Sequence, residues 1–217
     1  MESCENFEKL LCDIRACRIC EAHLPPEVSG GPRPVLQAST SARILVVGQA
    51  PGIRVHNTGL PFNDPSGDRL RDWMGIDRDT FYNPEKLAII PMGFCYPGTG
   101  KSGDLPPRPE CAAAWRDRLM AALPQIDLKL IIGQYAINWH LDGRRQLKNG
   151  PKKKNNLTET VRSWRDYIGE GLIPLPHPSP RNNLWLRKNP WFEEDVVPYI
   201  KKKVQVCLSP DNEQHLR

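Results

Sequence analysis

Four short, almost unbroken apolar runs punctuate the chain: "ARILVVGQAPG" (42–52), "LAIIPMG" (87–93), "LKLIIGQ" (128–134) and "GLIPLPHPSP" (171–180). Each reads as a buried strand that breaks into a turn. Between them, apolar residues recur at helical spacing over 67–75, 109–123, 134–140 and 157–168, and a last helix is expected over 191–206, after Pro190. Ahead of the first strand, Phe7, Leu10, Leu11 and Ile14 put one apolar face on a helix within 5–17. Strands that are apolar throughout, rather than alternating, are covered on both faces, and strand–helix alternation favours parallel pairing. The expected fold class is therefore α/β, a three-layer αβα architecture around a central, mostly parallel four-stranded sheet. Ligands of such sheets bind beyond the carboxyl ends of the strands. That rule selects four loops: Gln49 to Gly52, Met92 to Cys95, Gly133–Gln134 and His177 to Pro180.

The 217 residues suit one ordinary domain, placed at 1–206, with 207–217 expected to be a flexible tail and 144–156 a polar, basic loop. No internal repeat is visible. No run approaches the roughly 18 apolar residues of a membrane span, and the opening "MESCENFEKLLCDIRACRIC" is charged without a signal-peptide core. A cytoplasmic monomer with no membrane partner is the expectation. The net charge of +5 is unevenly placed: from Arg144 onward there are 15 Lys and Arg against 8 Asp and Glu. A basic C-terminal third suits a phosphate backbone, and it suits a plain solvated surface equally well.

Gly98-Thr99-Gly100-Lys101-Ser102 imitates the end of a phosphate-binding loop. Such a loop needs glycine five residues before Gly100, where this chain has Cys95, and a helix directly after the lysine, where it has "GDLPPRPE". The cysteines make a better pattern. Cys17 and Cys20 form a CxxC pair, Cys95 follows the second strand and Cys111 opens the next helix. Seven cysteines in a reducing compartment point to metal ligands or core thiols rather than disulfides. Tetrahedral zinc and a [4Fe–4S] cluster both suit a four-cysteine set. Cys4, Cys12 and Cys207 stand outside it.

Taken in order, "VVGQAPG", "GLPF", Cys95 with Cys111, and "HPSPRNN…LRKNP" resemble the uracil-DNA glycosylase superfamily, closest to its family 4, iron–sulfur branch. The resemblance spans about Cys17 to Pro190. It implies that Cys17, Cys20, Cys95 and Cys111, the last two separated by fifteen residues, hold a [4Fe–4S] cluster in place of zinc. It implies that Gly48, Gln49 and Ala50 belong to a first motif at the base pocket, and that Phe62 stacks on a flipped base. It implies that His177 opens a second motif and contacts the base oxygen, while Pro178 to Arg181 press into the DNA minor groove. The physics agrees. A duplex hides the glycosidic bond, so the nucleotide must be extruded into a pocket. The pocket needs an aromatic face and a donor for the departing base, and Phe62 and His177 can supply them.

Two departures from the family pattern stand out. Gln49 occupies the place of a glutamate, which removes the usual water-activating carboxylate; Asp64, Asp68 and, third, His56 are the candidates to replace it. Pro91, followed by Met92, occupies the place of the asparagine that reads uracil, and neither side chain can make that residue's paired hydrogen bonds. The catalytic set is then His177, Gln49, Asp64 and Asp68, and the base-binding set Phe62, Gly48, Ala50 and Met92. Ser179, Pro180, Arg181, Arg187, Lys188 and Lys101 are expected to contact DNA, with Lys101 and Arg108 steered toward it by the metal. The expected function is a monofunctional glycosylase that hydrolyses the N-glycosidic bond of uracil or another deaminated base in DNA. The alternative is a catalytically weak or inactive DNA-binding, damage-sensing protein of the same fold. A third reading, action on RNA or a free nucleoside, requires nucleoside activity to rival that on an oligonucleotide.

Overall fold

The apolar runs fold as four parallel strands: β1 (Ile44–Val47), β2 (Leu87–Ile89), β5 (Leu128–Ile132) and β6 (Leu172–Leu175), in the order β2-β1-β5-β6. The computed structural model describes residues 2–25, 28, 30–101, 103–145 and 156–209, with side chains at all of these except 2–5 and 142–145. Residues 146–155 of the basic loop and the tail from residue 210 lie outside them. β6 is an edge strand, which is why Pro174 is tolerated within it: no neighbour on its far side needs the missing N–H.

Alternation along the strands splits the core into two layers. Leu45 and Val47 pack with Phe7, Leu11 and Ile14 of α1 (Glu2–Arg15), Trp115 and Leu119 of α5 (Pro109–Ala121), and Ile137 of α6 (Gly133–Arg145). Ile44 and Val46 face the other way, toward Leu70 and Trp73 of α3 (Pro65–Met74), Phe81 of α4 (Arg78–Phe81), Val161 of α7 (Leu157–Arg162), and Ile200 and Val204 of α9 (Val197–Leu208). Both faces are covered, as continuous apolar strands require.

The boundaries differ from expectation where the backbone departs from a regular helix. The 157–168 segment is helical only to Arg162 and then breaks into 3-10 turns. The final segment opens with a π turn over Phe192–Val196, and α9 carries on through buried Cys207. Three short elements carried too little periodicity to be anticipated: α2 (Ile53–Thr58), α4, and α8 (Asn183–Lys188). The imitation phosphate loop is a two-stranded hairpin, β3 (Thr99–Gly100) against β4 (Gly103–Asp104), and it opens no helix. Among the described residues, no helix is long and apolar enough to cross a membrane.

Candidate active site

A cleft of about 510 Å³ opens at the carboxyl ends of the strands. β1 connects to β2 on one side and borders β5 on the other, so the turn after β1 lies at the point where strand order reverses. The cleft is lined by that turn (Gly48 to Gly52), by Pro91 after β2, by the segment around Phe62, by Gly103–Asp104 of the hairpin, and by His177 with Ser179 to Asn182 after β6. Backbone bonds stitch two of these loops together: Met92 N–H donates to Gly48 C=O at 2.9 Å, and Gly93 N–H to Gln49 C=O at 3.0 Å.

Phe62 is held by an unusual piece of chain. Gly59 ends α2 in the left-handed region, and Asp64 caps α3 by accepting the Gly67 N–H at 3.0 Å, with Pro65 in the first turn. In the short link between them Phe62 has φ 52°, the only non-glycine at positive φ among the described residues. A bulky side chain there stores about 1–3 kcal/mol of strain, which the surroundings must hold. Gly67 is part of that hold: a Cβ at position 67 would lie 1.8 Å from the Phe62 carbonyl oxygen. The phenyl ring rests edge-on against Phe81 at 6.2 Å and passes 3.5 Å from where a Cβ on Gly48 would sit.

His177 is pinned on several sides. Ser179 N–H donates to its Nδ1 at 3.2 Å, so Nδ1 is the acceptor and the ring proton resides on Nε2. Its carbonyl accepts from Asn182 Nδ2 at 2.7 Å. Burial depresses its pKa; the carboxylates of Asp64 and Asp104 oppose that shift and Arg181 adds to it. The result is a neutral imidazole that presents an N–H. Arg69 of α3 clamps the same loop, donating to the carbonyls of Pro178 and Ser179 at 3.3 and 3.1 Å and to Asn183 Oδ1 at 2.7 Å.

The carboxylates separate. Asp64 lines the cleft, with one oxygen engaged in its capping bond. The structure does not bring Asp68 to the cleft: its side chain is 76% exposed and pairs with Arg71. His56 is buried beneath the surface, its ring 6.0 Å from that of Tyr96, and is likewise absent from the lining. Met92 is also displaced from its expected role. It packs into the core beneath the cleft, and Pro91 takes the lining position. Gly48, Gln49 and Ala50 do line it, and the Gln49 amide donates to the Leu105 carbonyl at 3.1 Å.

Sequence reasoning overlooked Asp104, whose Oδ2 lies 3.4 Å from a Cβ position on Gly52. It is open to the cleft, yet the surrounding walls raise its pKa by desolvation. Its only signal in the sequence was "GDLPP", with nothing to place it opposite His177. Ser179, Pro180 and Arg181 line the cleft; Arg187, Lys188 and Leu184, the last 56% exposed, lie exposed on α8 and are not among its lining. Lys101 is exposed at the hairpin turn. Arg108 instead pairs with Glu110 at 2.6 Å and lines a different cavity.

That second cavity, of about 20 Å³, is lined by Cys17, Cys20, Cys95 and Cys111 together with Pro32, Pro34, Gly93, Phe94 and Arg108. N–H groups address three of the sulfurs: Trp115 Nε1 at 3.3 Å from Cys17, Phe94 N at 3.3 Å from Cys111, and the Arg33 backbone on Cys95. Desolvation pushes the thiols of Cys95 and Cys111 up to about 12. Among the described residues, no three His, Cys, Asp or Glu side chains group tightly enough to hold a metal ion. The four thiols thus share a wall without closing on one point.

An aromatic face, a neutral N–H donor and carboxylates on one cleft suit a flat heterocycle bearing a carbonyl oxygen that gains negative charge. Comparison with known proteins reaches the same place. The family model described as the uracil DNA glycosylase superfamily matches residues 36–201. A type-4 uracil-DNA glycosylase of Thermotoga maritima is 27% identical over 170 residues, covering 76% of this chain and 78% of the relative.

Proposed function

The chain belongs to the uracil DNA glycosylase superfamily, and on that premise we propose that it is a DNA base-excision glycosylase that flips a deaminated base into the cleft and hydrolyses its N-glycosidic bond. The observation that carries this reading is the shared cleft of Phe62 and His177, one held on strained backbone and the other fixed as the Nε2–H tautomer. Phe62 offers a face for the extruded base. As the glycosidic bond breaks, the base leaves with the electron pair, and the Nε2–H of His177 donates to the oxygen where charge gathers. One such donor, preorganised away from bulk water, is worth about 10²–10³ in rate. Among the described residues that line the cleft there is no lysine to attack the sugar as an amine, which supports water as the nucleophile and monofunctional chemistry.

Pro91 offers no side-chain donor or acceptor, so the base is selected mainly by the backbone of the β1 turn and by the oxygen that His177 reaches. That favours a class of deaminated bases, uracil, hypoxanthine and xanthine, over one strictly read base. Arg181, Arg187, Lys188 and Lys101 would contact phosphates, while Pro180 and exposed Leu184 press on the minor groove.

Cys17, Cys20, Cys95 and Cys111 would hold the [4Fe–4S] cluster that the family 4 resemblance implies. The four thiols line one cavity, and the family 4 resemblance favours a cluster, in which each sulfur binds its own iron, over zinc. The N–H groups aimed at sulfur also favour thiolates, as does the buried guanidinium of Arg116, on which the charge of Cys111 acts. The cluster's role there is structural: it would tie the N-terminal segment to the 95–111 loop.

The test is base release from oligonucleotides carrying uracil, hypoxanthine or xanthine, followed by alkaline strand cleavage. Cleavage at one or more lesions is expected. Tight lesion binding with no cleavage at any of them would establish the damage-sensing alternative instead.

A further inference from the structure

We propose that Asp104, carried into the cleft by the β3–β4 hairpin, is the carboxylate that activates the attacking water, and that Gln49 is the positioning residue that holds it there. This rests on the glycosylase reading above. The first motif lacks a proton acceptor, because an amide at position 49 cannot serve as a base at neutral pH. What Gln49 does instead is visible: its Nε2 donates to the carbonyl of Leu105, the residue after Asp104, at 3.1 Å. The amide therefore ties the hairpin to the turn after β1. The Asp104 carboxylate comes to lie over the far end of that turn, with Oδ2 3.4 Å from a Cβ position on Gly52. Glycine at 52 leaves it room. The hairpin thus returns a carboxylate to the turn from which the sequence has removed one.

Asp64, the competing candidate, has an oxygen committed to the Gly67 N–H. The Asp104 carboxylate accepts no hydrogen bond among the described residues, and Asp104 lines the cleft. The groups that act on it are Arg181, His177 and Asp64; burial outweighs the pull of Arg181 and of the His177 ring and keeps its pKa above that of an ordinary carboxylate, which makes it a stronger base. Arg181 reaches the same hairpin, its guanidinium 2.9 Å from a Cβ position on Gly103, so the rim and the carboxylate meet at one place. In the reaction, the water oxygen bonds to the sugar C1′ as the bond from C1′ to the base nitrogen breaks. Asp104 takes a proton from that water, His177 holds the base oxygen, and the base anion then regains a proton from solvent.

Base release under single-turnover conditions, with Asp104→Asn and Asp64→Asn beside the wild type, tests this. Asp104→Asn is expected to lower the rate about 10²–10⁴-fold with an unchanged melting temperature and unchanged binding to an oligonucleotide carrying a neutral tetrahydrofuran abasic site. It should also erase the acid limb of the pH–rate profile, whereas Asp64→Asn, whose amide oxygen can still accept the Gly67 N–H, keeps that limb. Gln49→Ala should lower kcat while KM holds. A wild-type rate or an intact acid limb in Asp104→Asn overturns the proposal and leaves the glycosylase reading standing. A second arm does not depend on base release: an oligonucleotide bearing a cationic azasugar, which mimics the charge developing on C1′. Tighter wild-type binding to it than to tetrahydrofuran, lost in Asp104→Asn, supports the assignment; equal binding by the wild type overturns it. If no lesion is cleaved while the azasugar preference holds, the choice of lesion fails and Asp104 does not.

Discussion

The cleft and the cysteine cavity lie at neighbouring loops yet are finished in different ways. In the cleft, the polypeptide itself holds the main groups: Ser179 N–H and Asn182 fix His177, Arg69 fixes the loop around it, and Gly67 fixes Phe62. In the cysteine cavity, N–H groups address three sulfurs, but among the described residues no three side chains group to hold a metal ion, and burial raises the pKa of the Cys95 and Cys111 thiols. The polypeptide alone completes one site. The other, on the proposed reading, would be completed by a cluster that the polypeptide does not contain. Disturbing the first should therefore change chemistry, and disturbing the second should change folding.

The largest effect is expected where that contrast is sharpest. Cys111→Ser or Cys95→Ser removes a ligand from the proposed cluster, and binding energy at such a centre is folding energy. The loss should be comparable to the net stability of a domain, about 5–15 kcal/mol. Soluble yield, melting temperature and the visible absorbance of thiolate-bound iron check it. A colourless Cys111→Ser protein that melts like the wild type would show that the cavity is ordinary core and erase the distinction.

His177→Gln is the converse. The change replaces the ring-fixed N–H aimed at the base oxygen with a longer-reaching, flexible amide that is not held there, while leaving the loop's backbone bonds in place. Base release should fall about 10²–10³-fold with little change in melting temperature. The pH dependence has a definite sign. Burial places the folded-state pKa of His177 below the unfolded value, so its contribution to stability is present above the unfolded pKa, about 6.5, and is lost as pH falls through the depressed folded value. The wild type should therefore lose more stability than His177→Gln on acidification through that window. Parallel melting curves would mean the imidazole is solvated.

Gly67→Ala asks how much of the cleft rests on local backbone. Alanine inside a helix ordinarily gains about 0.5–1 kcal/mol over glycine. Here its Cβ would collide with the Phe62 carbonyl, so the sign should reverse to a loss of about 1–3 kcal/mol, with weaker base release as the phenyl ring moves. Calorimetry and single-turnover rates on one preparation separate the two effects.

These residues also show what could be read from the chain and what could not. The four strands, the layers and the loops around Gln49 and His177 were legible because apolar runs and breaking turns are local signals. The cysteine set was legible as a pattern of spacing. Asp68 and Met92 lie off the cleft for a common reason: sequence proximity to Phe62 or to the β2 end says nothing about which side of a helix or strand a side chain takes. Asp104 and Arg69 were missed because their importance arises only when the hairpin crosses to the β1 turn and α3 crosses to the β6 loop. Arg69, for example, is 110 positions from the serine carbonyl it holds. Contacts of that separation leave no trace in local periodicity.

The smallest effect concerns the charges around both regions. Lys101 sits on the hairpin between two of the cysteines, and Arg187 sits on the helix that follows the His177 loop. Each is exposed, so neither should alter folding. If each contacts one phosphate, Lys101→Ala and Arg187→Ala should each weaken binding to any DNA sequence uniformly and reduce the slope of log K against log salt by about 0.9. Fluorescence anisotropy across a salt series measures it. A slope that drops only for Arg187→Ala would confine DNA to the β6 side of the cleft and leave the cysteine-bounded loop without a direct part in binding. Equal drops would mean that the loop held by the cysteines also carries a phosphate contact. The cysteine region would then act on DNA binding solely through the position it gives Lys101, and the chemistry would still belong to the cleft.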